Sequence, residues 1–127
     1  MNDEQRHEQG MRVRREVLGD AHVDRAEAKK SELTADFQDF LTRYAWGEVW
    51  DRPGLDRRSR SVATLAALVA LRAENEIAMH VRAALRNGLT AEEIGEVILH
   101  TALYAGLPAA NAAFAIAQSV IDEEPAT

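Results

Sequence analysis

At 127 residues the chain is long enough to bury one real core and too short for several. It has no cysteine, which excludes disulfide staples, thiolate metal sites and a cysteine nucleophile together. A net charge of −6 argues against nucleic acid as a partner.

The opening residues Met-Asn-Asp-Glu-Gln-Arg are charged and lack a signal-peptide stretch, and the most apolar run, Val62 to Leu71, is too short to cross a bilayer. A cytoplasmic protein with no membrane partner is expected. Residues 3 to 18 read as a polar helix stopped at Gly19, with Met11, Val13, Val17 and Leu18 as its few apolar positions. Ala21 to Asp24 reads as a connector, and Asp24 as the N-cap of a short helix to Lys30. Leu33, Phe37, Phe40, Leu41 and Tyr44 recur at helical spacing between about Thr34 and Tyr44. Trp46 to Trp50 adds a turn before Arg52-Pro53-Gly54.

Asp56 caps a long helix whose middle is apolar all round, so it is expected to be wrapped by the others. Glu74 to Asn87 follows, with Asn87-Gly88 as its left-handed stop. Thr90-Ala91-Glu92-Glu93 is a capping box that starts a helix to about Ala105. Gly106 ends that helix, and Pro108 opens an Ala-rich one to about Asp122. Nothing reads as a strand. The expected fold is an all-α bundle of about six helices forming a single domain over residues 1–127, with an N-terminal arm (1–30) on a helical core (31–127). Its small residues and generous apolar supply fit assembly with copies of itself.

Two constellations stand out as chemistry. His80 lies at the edge of the stripe Ile77, Val81, Ala84 and Leu85, with Glu76 one turn earlier. A carboxylate at that spacing orients an imidazole and favours its protonated form, which prepares a general acid. The same pattern also describes a boundary histidine with a surface partner. Glu96 and His100 repeat the spacing, but carboxylate-bridged metal bundles place the pair at i,i+3, so no metal site is assigned.

The second constellation is a basic island on an acidic chain. From Arg43 to Arg60 five arginines stand against Glu48, Asp51 and Asp56, whereas eight acids and three arginines follow from Ser61 onward. Trp46, Trp50, Arg52, Arg57, Arg58 and Arg60 suit a flat, partly dry pocket where guanidiniums hold carboxylates. The alternative is core tryptophans beside solvated arginines. Tyr104, before the Gly106 stop, offers a phenol to such a pocket or packs in the core. There is no phosphate loop, serine elbow or zinc signature.

Arg72 to Ile94 (RAENEIAMHVRAALRNGLTAEEI) and Tyr104 to Phe114 (YAGLPAANAAF) resemble the carboxymuconolactone decarboxylase-like family. The superfamily around it includes alkylhydroperoxidase D-like proteins, whose redox site is Cys-x-x-Cys-x-x-x-His. On this chain the histidine falls on His80, and the cysteine positions hold Ala73 and Glu76. Peroxidase chemistry is therefore not expected. Met11 to Arg25 and Arg43 to Leu55, with its Trp-Gly-x-x-Trp stretch, resemble the branch acting on 4-carboxymuconolactone in protocatechuate catabolism.

The resemblance implies an all-helical homo-oligomer, trimeric or hexameric, working without metal or organic cofactor on a small dicarboxylate lactone. The implied reaction is loss of carbon dioxide to give 3-oxoadipate enol-lactone. That chemistry must hold two carboxylates, stabilise an oxyanion and deliver a proton to carbon. Arg52, Arg58 and Arg60 suit the first task, and Trp46 and Trp50 the desolvation of the leaving carboxylate. His80 with Glu76 suits proton delivery, Tyr104 or a backbone N–H the oxyanion. His22 either closes the site from a neighbouring subunit or is a surface histidine. Two other readings stay open: a relative acting on another small lactone or acid, and a non-catalytic helical oligomer that serves as a binding module.

Overall fold

The computed structural model describes residues 1–123. Among these residues there are seven α-helices and one π-helix, and no strand. The chain divides into two compact units, Met1–Asp56 and a second beginning at Arg57.

The first unit begins with α1 (Asp3–Leu18), closed by a capping box in which the Asn2 side chain accepts from the Gln5 N–H while the Gln5 side chain accepts from the Asn2 N–H. Gly19, at φ 90°, breaks the helix in a single residue. α2 (Asp20–Lys29) therefore starts at once, and the expected connector Ala21–Asp24 is helical. Asp24 is not a cap. It pairs with Arg15 at 2.9 Å, alongside Asp20 at 3.1 Å, and the three charges tie the corner between the two helices.

α3 (Ala35–Leu41) continues without a break into the π-helix Thr42–Val49. At the junction the Thr42 hydroxyl donates to the Gln38 carbonyl at 2.7 Å, a back-bond that loosens an α-helical ladder. The wider winding is seen in the Trp50 N–H, which reaches the Ala45 carbonyl five residues back at 2.9 Å. The π-helix lies on α1 in backbone contact. A Cβ on Gly10 would overlap the Thr42 carbonyl, and one on Gly47 would come within 2.7 Å of the Arg6 carbonyl. Glycine is required at this crossing by space alone. α3 itself buries no residue, and Leu33, Phe37, Phe40 and Tyr44 are all exposed.

The second unit holds the apolar core. α4 (Arg57–Ala70) and α5 (Glu74–Arg86) form an antiparallel hairpin through a tight turn in which Arg72 takes the left-handed conformation, φ 57°. α6 (Ala91–Ala105) starts at the expected capping box on Thr90 and Glu93 and stops at Gly106, φ 97°. α7 (Leu107–Glu123) completes the unit. Leu65 and Val69 of α4 pack with Ile77 and Val81 of α5, Ile94 and Ile98 of α6, and Ala113, Ala117 and Val120 of α7. The buried alanines of α7 carry little bulk, which lets its backbone approach its neighbours closely.

α4 is not enclosed as its composition implied. It buries only Ser61, Leu65 and Val69, a single stripe. Its neighbours α5, α6 and α7 lie along that side, so Ala63, Ala67 and Leu71 face outward. No helix among the described residues is long and apolar enough to cross a membrane.

Candidate active site

His80 sits in the middle of α5, flanked by the buried Ile77 and Val81. The residue is half-buried and its Nδ1 is enclosed by protein. Glu76 is exposed in the first turn of the same helix, where its charge also favours the helix N-terminus. The local sequence thus sets the imidazole at the border between core and surface, as the stripe pattern implies.

Arg57, Arg58 and Arg60 fall in the first turn of α4, which carries no acid there. Helix dipoles favour anions at that end, so cations in the first turn add to the positive potential of the exposed N–H groups. Asp56 stands immediately before these three cations. Arg58 is bound to Glu93 of α6. Arg60 is half-buried, with its Nε enclosed. Arg57 is half-buried as well.

The hairpin register places Arg60 relative to His80. The Asn87 amide donates to the Ser61 hydroxyl at 3.0 Å, so residue 61 lies level with residue 87. Counting back along the antiparallel pair puts His80 level with Leu68. Arg60 starts roughly 12 Å further along the axis, from a rise of about 1.5 Å per residue.

Tyr104 is 82% exposed in the last turn of α6. Its ring lies 5.5 Å from that of His100, beside the exposed Leu103 and Leu107. Among the described residues it packs in no core. Glu96 and His100 are exposed too, and among the described residues no group of three or more His, Cys, Asp or Glu is placed to hold a metal ion.

In the first unit the π-helix carries the tryptophan pair. Trp46 is 6% exposed and Trp50 half-buried, with ring centroids 5.2 Å apart and an interplanar angle of 28°. This offset stack gives one flat aromatic wall. Arg52, just beyond it, is exposed. His22 lies on α2 beside the buried Val23, half-buried and helical, where a connector was expected.

Arg14 escaped the sequence reading. It is 5% exposed, and burial holds its pKa below the ordinary arginine value against the opposing pull of Glu27. Its Nη2 donates to Gln38 at 3.3 Å, and Glu27 stands 3.9 Å from Nη1. The signal was present: Gly10, Val13, Arg14 and Val17 share the buried face of α1, so one cation stands in an apolar stripe.

The sequence profile of the carboxymuconolactone decarboxylase family matches residues 35–119. The chain is 54% identical over 97% of its length to 4-carboxymuconolactone decarboxylase of Acinetobacter baylyi, covering 92% of that protein. It is 40% identical over 91% of its length to nitrosuccinic acid decarboxylase of Metarhizium robertsii, covering 81% of that protein. A 48-residue sequence of 4-carboxymuconolactone decarboxylase from Pseudomonas putida is 50% identical and is covered completely, spanning 38% of this chain. The chain belongs to the carboxymuconolactone decarboxylase family.

Proposed function

We propose that this protein decarboxylates 4-carboxymuconolactone to 3-oxoadipate enol-lactone, a step of protocatechuate breakdown. The observation that carries the reading is the 54% identity to the Acinetobacter enzyme across 97% of the chain. The chemistry needs no external electron sink. The bond to the leaving carboxylate breaks, its electron pair moves through the ring C=C to the lactone carbonyl, and the resulting dienolate takes a proton on carbon.

His80 is the proposed proton donor, with Glu76 as its orienting carboxylate. The place of Arg60 in the first turn of α4, half-buried, supports it as a carboxylate holder, and Arg58 and Arg52 are assigned the same task. The Trp46–Trp50 wall is assigned substrate binding, packing against the lactone and keeping water from its carboxylate, and His22 closure of the site of a neighbouring subunit. Tyr104 serves the oxyanion in this scheme only where another surface covers it, because within the chain it is exposed. The test is an ultraviolet assay on freshly generated 4-carboxymuconolactone with no added metal or cofactor. Rapid loss of the substrate with formation of the enol-lactone is expected, and absence of turnover overturns the reading.

The fungal relative favours a second reading, decarboxylation of a 2-nitro dicarboxylic acid. There too a carboxylate leaves a carbon whose electron pair passes to oxygen, in that case of a nitro group, before protonation. Comparing kcat/KM for the two substrates on the same preparation ranks the readings.

A homo-oligomer, trimeric or hexameric, is proposed alongside the activity. In its support, α3 buries nothing although it carries Phe37 and Phe40, Leu33 is 91% exposed, and Leu103 and Leu107 stand out from the second unit. A short helix with no buried face has little to stabilise it in water. Light scattering on the eluting protein should give the mass of three or six chains, and a monomer would end the proposal. A cytoplasmic location is proposed in keeping with a chain that has no cysteine.

A further inference from the structure

The tryptophan wall stands at the end of a π-helix, an element with poorer internal bonding than an α-helix, and something must hold it in place. The carbonyl of Gly47 is the critical group. A further π-helical turn would satisfy it with the Arg52 N–H, but that N–H bonds the Val49 carbonyl at 3.1 Å. The side chain of Gln9 on α1 takes over. Its Nε2 donates to the Gly47 carbonyl at 3.0 Å and to the Asp51 carboxylate at 2.6 Å. One amide nitrogen therefore grips the chain on both sides of Trp50.

Neighbouring contacts make this grip rigid. Gly10, the next residue on α1, meets the π-helix backbone with no space for a side chain. One turn earlier Arg6 pairs with Glu48 at 3.6 Å and lies over the Tyr44 ring at 5.5 Å. Of these, only Gln9 bonds both flanks of Trp50. A hydrogen bond to a carboxylate is stronger and more directional than a neutral one, which suits a group that fixes an angle.

We infer that Gln9 is a positioning residue: by clamping Gly47 and Asp51 to α1 it sets the Trp46–Trp50 stack, and through it substrate affinity. The inference about substrate rests on the proposed decarboxylase reading; the inference about the stack does not. The test exploits the fact that Trp46 and Trp50 are the only two tryptophans of the chain. Their stacking gives an exciton signal in circular dichroism that no other pair of tryptophans within one chain can produce.

Gln9→Leu removes both donations and should abolish most of that signal. In the lactone assay KM should rise about tenfold, while kcat stays within about threefold. Asp51→Ala deletes one acceptor from an exposed position and should weaken the signal in the same direction by less. A preserved exciton signal and unchanged KM in Gln9→Leu overturn the inference, even where the melting temperature falls. Where Gln9→Leu fails to fold, an unchanged signal in Asp51→Ala overturns it equally. An inactive wild type defeats the decarboxylase reading alone, because the exciton signal still decides whether Gln9 sets the stack.

Discussion

Each of the two units is held together internally by its own physics. The second is built around one continuous apolar cluster from four helices, with Leu65, Ile77, Ile94 and Ile98 among its fully buried side chains. The first buries few large apolar groups. It relies on a backbone crossing at Gly10 and Gly47, on the Gln9 clamp, on charge ties at Arg15, and on the buried Arg14. An apolar core tolerates many residue combinations of similar volume. A crossing with no spare space, and bonds that demand direction, do not.

The sharpest division concerns catalysis. His80→Ala should lower kcat about 10²- to 10⁴-fold, the usual worth of a general acid, while both units stay folded. Steady-state kinetics on a variant with wild-type helical content checks this, and near-normal turnover would remove His80 from the chemistry.

Stability should break in opposite ways in the two regions. Removing atoms harms the second: Ile98→Ala, at a fully buried position, should cost about 2–5 kcal/mol in denaturant unfolding. Adding one methyl harms the first. Gly10→Ala forces a Cβ into the Thr42 carbonyl, so α1 and the π-helix must part, at about 1–3 kcal/mol. A Gly10→Ala variant as stable as wild type would show that the crossing is looser than its geometry. The smallest effect belongs to an exposed ion pair: Arg58→Ala breaks the contact with Glu93 and should change stability by less than about 1 kcal/mol. A larger loss would mean that the surface of the second unit is held by charge, as the first is.

Legibility in the sequence followed the same division. Caps and stops at Gly19, Thr90 and Gly106 fall where they were read, because each is decided within a few residues. The stripe that places His80 at a core border was equally plain. Arg14 and Gln9 were missed because their roles depend on Gln38, Glu27, Gly47 and Asp51, all distant in sequence. The short connector at Ala21–Asp24 was misread because a glycine at positive φ breaks a helix without needing a loop. The apolar stretch of α4 was read as enclosed because composition gives no hint of which side neighbours occupy.

By itself the sequence determined an all-helical chain, the start and stop of most helices, the histidine at the core edge and the family. These rest on local periodicity, on caps and on long shared runs of residues. Only the tertiary structure decided that α3 widens into a π-helix and that Gly10 exists for a backbone crossing. It alone decided that one glutamine bonds both flanks of Trp50, that Tyr104 stands exposed, and that α4 leaves Ala63, Ala67 and Ala70 exposed. Each of those depends on which groups meet across space. Helical periodicity says which side chains share a face; it does not say what that face will meet.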